Sequence, residues 1–298
     1  MAEIIQTDGT WTFDGDTVRI VPGNDKRVGL LRRSLGEVAV PLQALAAITF
    51  EPGRKSGRLR LRLRDGADPL TRVTGGRLGD PSDPYQLSVD NDRTGVAEYF
   101  VDEVRNSLLL DEVDAGPTDR YLLPGPALPV TMGAGDGTAT FDGERILLEW
   151  NWKTDEHKSS QGTTTLALAD VESVEWRPSA GLENGFLRFR VGRGNVPAPK
   201  HDPHAVELYG FKKDPLMALV AAAVVARLPH PNAAAPLPLA KAPATADTTA
   251  PASDPAAASG DDHDALLRRL RELGELHQAG ILTAEEFTTA KQAVLKRL

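Results

Sequence analysis

The sequence predicts a mainly β protein of the α+β class, and three features of the chain lead to this fold class. A stretch of eight residues that begins at Asp8 returns in nearly the same form from Asp136, so the chain contains a tandem repeat. In both copies, runs of β-forming residues alternate with turn residues, as antiparallel strands require. Each copy then ends in a segment whose apolar residues have helical spacing. We therefore expect two small β-rich domains, each covered by a C-terminal helix.

The similarity between the copies extends well past this first motif. The motif reads Asp-Gly-Thr-Trp-Thr-Phe-Asp-Gly in the first copy and Asp-Gly-Thr-Ala-Thr-Phe-Asp-Gly in the second. A later motif, Gly-Arg-Leu-Arg-Leu-Arg-Leu from Gly57, corresponds to Gly-Phe-Leu-Arg-Phe-Arg-Val from Gly185. Two motifs repeated at a nearly constant offset indicate that one compact unit has been duplicated.

The first copy contains seven segments of strand-like composition and one segment of helical periodicity. Phe100, Val104 and Leu108 recur every four residues, so residues 96–110 are predicted to form a helix with one apolar face. Seven antiparallel strands and then an amphipathic helix is the order of a pleckstrin-homology-like (PH-like) bent β-barrel, in which the helix covers the open end of the sheet. The predicted strands are residues 10–13, 17–21, 27–32, 37–41, 46–51, 58–64 and 85–90.

The second copy repeats this plan, and the remaining segments complete the domain organisation. Asp214 is a candidate N-cap for a predicted helix over residues 214–228. The predicted strands of this copy are residues 138–141, 144–153, 163–168, 171–176, 186–191 and 206–210. We therefore predict PH-like repeats at 1–110 and 130–228, a connector at 111–129, a disordered Ala/Pro-rich linker at 229–260 and a small α-helical hairpin at 261–298.

Composition limits the classes of function that the chain can serve. The formal net charge is -8 and 41% of the residues are hydrophobic, so we expect neither a basic nucleic-acid binder nor an acidic disordered chain. The chain has no cysteine, which removes disulfides, thiolate catalysis and zinc–thiolate sites. The N-terminus lacks a signal-peptide pattern, and the most apolar run, residues 216–226, is too short to span a membrane. We predict a soluble cytoplasmic protein without a transmembrane segment.

The C-terminal segment, residues 261–298, has the pattern of two short helices. Gly280 ends the first helix and Thr283 opens a capping box for the second. A unit of 38 residues rarely buries enough apolar surface to fold without a partner. We therefore predict that the segment oligomerises, or docks on another protein, through its apolar side chains. These side chains are Leu266, Leu270, Leu273, Ile281, Leu282, Phe287 and Val294.

Two family resemblances add to this interpretation. The run Gly-Ile-Leu-Thr-Ala-Glu-Glu-Phe from Gly280 resembles the bacterial short C-terminal domain called SHOCT. The two copies, with Thr-x-Phe-Asp-Gly and the later Gly-x-Leu-Arg-Phe element, resemble the actinobacterial DUF4429 family. The first resemblance implies an oligomerisation or interaction module, and the second implies no particular activity.

Four arginines alternate with leucines in the strand predicted at residues 58–64. Because side chains alternate across a strand, the arginines are predicted to share one outer face while the leucines face the core. These arginines are Arg58, Arg60, Arg62 and Arg64. One interpretation is a ladder that binds an anionic partner, and the other is a solvated face whose arginines pair with acids such as Glu37 and Glu51. The second copy retains only Arg188 and Arg190, so an anion site would belong to the first copy.

Other patterns suggest sites less strongly. The long loops at residues 65–84 and 192–203 are either binding loops or mobile insertions. His201 and His204 flank an aspartate, but this set is too small for a metal site, and we expect no metal ion there. Trp152 is assigned to the core because it alternates with the apolar residues before it; an interface position is the alternative.

The chain contains no recognisable catalytic motif, so we expect a non-enzymatic protein without catalytic residues or cofactors. The first hypothesis is a protein-interaction or scaffold protein that forms homo-oligomers, or docks on another protein, through residues 261–298. The alternative is a sensor that binds an anionic ligand or lipid surface through the arginine ladder of the first copy. Membrane binding of the usual PH type is disfavoured, because the turn at residues 14–16 is tight and acidic.

Overall fold

A computed structural model of the protein describes residues 1–192, 194 and 196–233. Within these residues the chain forms four antiparallel sheets with a few helices, which confirms the mainly β fold class. None of the described helices is long and apolar enough to cross a membrane. Most of the predicted linker and the whole predicted hairpin, residues 261–298, lie outside the described residues.

The first copy forms two sheets and ends in a long helix. The sheet order follows the chain order, β1-β2-β3-β4 and then β5-β6-β7. The strands are β1 (Ala2–Gln6), β2 (Gly9–Phe13), β3 (Thr17–Pro22), β4 (Val38–Pro41), β5 (Leu45–Glu51), β6 (Ser56–Leu63) and β7 (Gln86–Asp90). The helices are α1 (Leu30–Leu35) between β3 and β4, α2 (Pro69–Thr74) between β6 and β7, and α3 (Thr94–Leu110) after β7.

The second copy has the same arrangement of sheets. One sheet holds β8 to β11 and the other holds β12 to β14, again in chain order. The strands are β8 (Val130–Ala134), β9 (Gly137–Phe141), β10 (Arg145–Trp150), β11 (Thr164–Ala167), β12 (Val171–Arg177), β13 (Gly185–Val191) and β14 (Ala205–Leu208). The helices are α4 (Glu156–Ser159) and α5 (Met217–Val225). The copies neither merge into one sheet nor fold differently, as a duplication predicts; their assignment to the PH-like class stays a prediction.

The repeated motif folds the same way in each copy because its apolar and turn residues occupy equivalent places. Trp11 and Phe13 of β2 are buried, as is Phe141 at the equivalent end of β9. The Asp-Gly that follows is a tight turn, with φ of 113° at Gly15 and 114° at Gly143. Only glycine adopts this backbone conformation without strain, which accounts for its presence in both copies.

One strand prediction for the first copy is wrong, and one strand of this copy was not predicted. The segment predicted as a strand at residues 27–32 contains instead the start of α1, which ends at Gly36 with φ of 73°. The N-terminal strand β1 was not predicted, although it pairs along its whole length with β2. Its counterpart β8 was also missed. The predicted count of seven strands therefore holds for the first copy with a different set of strands, whereas the second copy has seven strands where six were predicted.

The loop at residues 65–84 contains the unpredicted helix α2. Asp68 caps its N-terminus, since the carboxylate accepts hydrogen bonds from the backbone N–H groups of Leu70 (3.1 Å) and Thr71 (2.8 Å). Pro69 occupies the first turn and Gly75 follows the last turn with φ of 54°. Aspartate, proline and then glycine at these places are ordinary helix boundary signals. The predicted cap Asp214 is different, because its carboxylate accepts from Gly210 and Phe211, which precede the helix.

The two copies are joined by a shared apolar core. In the first copy α3 covers a cluster in which Trp11 and Phe100 meet edge to face. In the second copy every residue of α5 is buried. The cluster around α5 also contains Leu31 of α1, and Leu70 and Val73 of α2, all from the first copy. Helix α5 therefore packs against both copies at once.

The connector between the copies is packed rather than free. The backbone N–H groups of Leu122 and Leu123 donate hydrogen bonds to the carbonyl of Ala67 at 2.8 and 3.1 Å. Leu123 is buried in the core of the first copy, whereas Tyr121 contacts the core around α5. The connector thus contributes apolar side chains to both cores.

Candidate functional site

The arginine ladder forms an outer face of the first copy on strand β6. Leu59 and Leu61 are buried beneath it, whereas Arg58, Arg60 and Arg62 are exposed, so the predicted alternation is confirmed over these residues. We call these three exposed arginines the arginine face. Such alternation arises because successive side chains of a strand point to opposite sides of the sheet.

Arg64 is separate from the arginine face, because it follows the end of β6 and is largely covered. Its Nε donates a hydrogen bond to the carbonyl of Gly116 (2.8 Å) and its Nη1 to that of Gln43 (2.9 Å). Its Nη2 lies 3.7 Å from a carboxylate oxygen of Asp114. Arg64 therefore holds the connector against the first copy, and the prediction of a four-arginine face is wrong at this position.

Within the arginine face, only Arg58 has a carboxylate partner among the described residues. Its Nη2 lies 2.6 Å from Oδ2 of Asp80, on the loop before β7. Arg60 donates a hydrogen bond to the amide oxygen of Gln86 at 3.3 Å. In the described part of the chain, no carboxylate oxygen lies within 4.0 Å of a guanidinium nitrogen of Arg60 or Arg62. The predicted partner Glu37 pairs instead with Arg19.

The equivalent arginines of the second copy are both paired. Arg188 is buried, and its Nε lies 2.8 Å from Oδ2 of Asp202 on the following loop. Its guanidinium also lies over the ring of Phe186, 4.8 Å from the centroid. Arg190 lies 3.6 Å from a carboxylate oxygen of Glu175 on β12. The second copy therefore neutralises the charges that the first copy leaves exposed.

A second pair of equivalent features lies at the start of the repeated motif. In the first copy, Nη1 of Arg32 lies 3.5 Å from the carboxylate of Asp8, and Nη2 donates to the Asp8 carbonyl at 2.9 Å. Arg32 comes from α1 and is only 3% exposed. The Asp8 carboxylate also accepts from the backbone N–H of Ser88 at 3.1 Å. This ion pair links the first turn, α1 and β7.

In the second copy the equivalent pair is Asp136 and Lys158, and it is buried more deeply. The side chains are 1% and 0% exposed, and Nζ lies 2.6 Å from Oδ2 of Asp136. The ammonium also donates to the carbonyls of Ala205 (2.7 Å) and Pro199 (3.3 Å) and lies over the ring of Trp150. Burial raises the pKa of Asp136, an effect that Lys158 partly offsets. Sequence reasoning missed both pairs, although the aspartate that opens each copy was a signal.

His201 lies beside residues of α4 and its N-cap, and this group does not include His204. Asp155, His157 and His201 bring their potential ligand atoms within 4.8 Å of one another, so these residues could hold a metal ion. The backbone N–H of His157 lowers the pKa of Asp155 to about 2, with further help from Lys200 and the two imidazoles. The aspartate between the histidines, Asp202, instead accepts a hydrogen bond from Nε of Arg188. The expected absence of a metal site therefore rested on an incomplete set of residues.

The core position predicted for Trp152 is wrong. Strand β10 ends at Trp150, and Trp152 is 89% exposed beyond that end. The chain turns here because the carbonyl of Asn151 accepts a hydrogen bond from the N–H of Thr154 at 3.0 Å, and its side-chain oxygen accepts one from the N–H of Lys153 at 2.9 Å. Strand alternation stops at the turn, so Trp152 does not point to the core.

The predicted oligomerisation residues cannot be placed in this fold, because Leu266, Leu270, Leu273, Ile281, Leu282, Phe287 and Val294 all lie outside the described residues. Their role stays a prediction.

Comparisons with known families agree with the repeat and with the C-terminal motif. A family described as "Domain of unknown function (DUF4429)" matches residues 11–105 and 139–225, one segment in each copy. A second family, described as "Short C-terminal domain" (SHOCT), matches residues 268–295. No curated protein matches the chain. Because the two DUF4429 segments together cover more than half of the chain, the protein belongs to the DUF4429 family.

Proposed function

We propose that this protein is a non-enzymatic interaction protein that self-associates or docks through its C-terminal segment, residues 261–298. The SHOCT match over residues 268–295 carries the proposal. A segment of this length buries too little apolar surface to fold alone, so its apolar side chains need a second surface. A second copy of the same segment, or a groove on another protein, would supply that surface.

The two copies support this role as a rigid body that presents surfaces to a partner. They share the core around α5, to which Leu31, Leu70 and Val73 of the first copy contribute. Outer faces such as the arginine face are therefore held in a fixed relation to the second copy. A rigid surface suits a scaffold, since little conformational entropy is lost when a partner binds.

The solution mass of the full chain tests this proposal. Charges introduced by Leu270→Asp and Leu273→Asp together are costly to bury, so this double variant should lose any self-association. Light scattering should give a multiple of the 32.0 kDa chain mass for the wild type and a single chain for the variant. The matched control combines Arg268→Ser and Glu275→Ser, which helical spacing places on the opposite side, and it should retain the wild-type mass.

The proposal fails if the wild type is a monomer and residues 261–298 also retain no partner in a pull-down. It also fails if the control loses association as fully as the leucine variant, because association would then not depend on the apolar side.

A second candidate function is a sensor for an anionic ligand, and the charge pairing of the arginines favours it. Arg60 and Arg62 have no carboxylate partner among the described residues, whereas Arg188 and Arg190 are both paired. Residues two apart on one face of a strand are separated by roughly 6.6–6.8 Å. Two guanidinium groups at that spacing can bind one multiply charged ligand, because each forms charge-assisted hydrogen bonds.

Soluble polyphosphate and vesicles that contain an anionic phospholipid are the probes for this function. Combining Arg60→Ser with Arg62→Ser should weaken binding and reduce its dependence on salt. Arg58→Ser is the matched control, and it should have a smaller effect because Asp80 already neutralises Arg58. Failure of the wild type to bind either probe, or equal binding by the double variant, would contradict the sensor.

A further inference from the structure

Three side chains with metal-binding chemistry meet on the second copy. We call Asp155, His157 and His201 the ligand triad. One carboxylate oxygen, Oδ1 of Asp155, lies 3.2 Å from Nδ1 of His157 and 3.3 Å from Nδ1 of His201. The two imidazole rings lie edge to face with centroids 5.7 Å apart. All three side chains therefore converge on one small volume.

The backbone around the ligand triad is fixed by hydrogen bonds. Asp155 is the N-cap of α4, because Oδ1 accepts a hydrogen bond from the N–H of His157 at 3.1 Å. His201 ends a 3-10 turn over Pro199–His201. Lys158 of α4 joins these two segments, since its buried ammonium donates to the carbonyl of Pro199 at 3.3 Å. The buried ion pair described above thus holds the two ligand-bearing segments together.

The distances fit a small divalent ion. Zinc binds imidazole nitrogen and carboxylate oxygen at about 2.0–2.2 Å, so two ligands in tetrahedral geometry lie roughly 3.4 Å apart. The two measured nitrogen–oxygen separations, 3.2 and 3.3 Å, are close to this value. Each separation is now a hydrogen bond in which an imidazole N–H donates to the carboxylate. A cation would take the place of these two protons with little movement of the backbone.

The ligand types also indicate which ion is favoured. Two imidazoles and one carboxylate suit zinc, nickel or cobalt, whereas calcium and magnesium prefer oxygen ligands alone. Three protein ligands leave a fourth position for water or for a group from a partner.

One nearby charge opposes a cation. Nζ of Lys200 lies 3.4 Å from the other carboxylate oxygen of Asp155, Oδ2. Lys200 is 59% exposed, so solvent weakens this contact, and the ammonium can move into water. Its removal is a direct test of the site, because a cation should then bind more tightly.

The geometry points to a divalent transition-metal site on the second copy, formed by Asp155, His157 and His201. The first copy has no counterpart, because none of the six histidines of the chain occurs before residue 157. The site is independent of the proposed interaction role, which rests on residues 261–298.

Calorimetric titration of the full, chelator-treated chain with zinc chloride tests the site. We expect binding of one ion per chain and a rise in the melting temperature, since an ion that binds only the folded state stabilises it. His157→Ala and His201→Ala should each weaken zinc binding by at least about 10-fold. Lys200→Gln should strengthen it. These side chains are exposed, and circular dichroism will verify that each variant is folded.

His204→Ala and His230→Ala are the matched controls, because neither histidine belongs to the ligand triad. Both should bind zinc as the wild type does. The site is overturned if the wild type shows no zinc binding, or if His157→Ala and His201→Ala bind zinc as tightly as the controls. The latter outcome would place any bound zinc on other residues of the chain.

Discussion

The two copies share one scaffold but differ in the charges that it carries. Both open with an aspartate that binds a buried cation, Arg32 in the first copy and Lys158 in the second. On the equivalent strands β6 and β13, Arg60 and Arg62 are exposed without a carboxylate partner among the described residues, whereas Arg188 and Arg190 are paired. The difference teaches that the internal ion pair belongs to the fold, while the outer face is specific to each copy.

The buried cations give the largest expected difference between the copies. Removing one partner of a fully buried ion pair costs about 3–5 kcal/mol, so Lys158→Met should lower the free energy of unfolding by about that amount. Arg32→Met should cost less, because Asp8 is 15% exposed and keeps some contact with water. Urea denaturation of both variants measures the two losses. Equal losses would show that the copies use the aspartate in the same way.

The shared core should make the copies lose stability together. Leu70 of the first copy is 2% exposed and lies in the cluster around α5. Leu70→Ala should cost about 2–5 kcal/mol through the cavity it leaves. We expect a single unfolding transition that shifts to a lower urea concentration. Tryptophan fluorescence measures it, since Trp11 and Trp176 report on different copies. Two separate transitions would mean that the copies unfold independently.

The Asp-Gly turns should respond alike, with a smaller effect. A side chain at positive φ costs about 1–2 kcal/mol, so Gly15→Ala and Gly143→Ala should both destabilise the protein. The cost should be higher at Gly143, where an added Cβ would lie 3.0 Å from a methyl group of Leu128, whereas Gly15 has open space. Thermal unfolding measures the stability of both variants. A larger loss of stability for Gly15→Ala than for Gly143→Ala would contradict this prediction.

The smallest effect concerns pH and should be the same in both copies. Backbone N–H groups lower the pKa of Asp14 and of Asp142 below the ordinary value of 3.8. A carboxylate whose pKa is lowered in the folded state adds stability above its unfolded pKa, and this stability is lost as pH falls through the folded pKa. NMR titration of the carboxyl carbons should give both pKa values below 3.8. A pKa at or above 3.8 in one copy would show that the backbone hydrogen bonds of the two turns differ, which contradicts this prediction.

Much of the fold could be predicted because the spacing of apolar residues along the sequence agrees with the way the strands and helices pack. The alternation in β6 and the spacing of Phe100 and Val104 reflect burial on one side, and the structure has both. The same reasoning failed at α1, where Leu30 and Leu31 look like strand residues but pack against the other copy. No local pattern encodes a contact between copies, so the segment was assigned by composition alone.

The candidate sites could likewise be predicted only where their residues are close together in the sequence. The arginine face was predictable because one strand contains all of its residues. The ligand triad combines Asp155 and His157 with His201, more than forty residues away, so only the folded chain reveals it. The buried partner of Asp136 was likewise hidden, because an isolated lysine in a polar segment ordinarily indicates an exposed position.

Helix α5 has a consequence for how such proteins can evolve. All of its residues are covered, in part by α2 of the preceding copy. If the second copy were expressed alone, or recombined with an unrelated neighbour, this part of the helix would be left in water. We therefore expect the two copies to be inherited as a pair, because moving a single half into another gene would first require polar replacements along that helix.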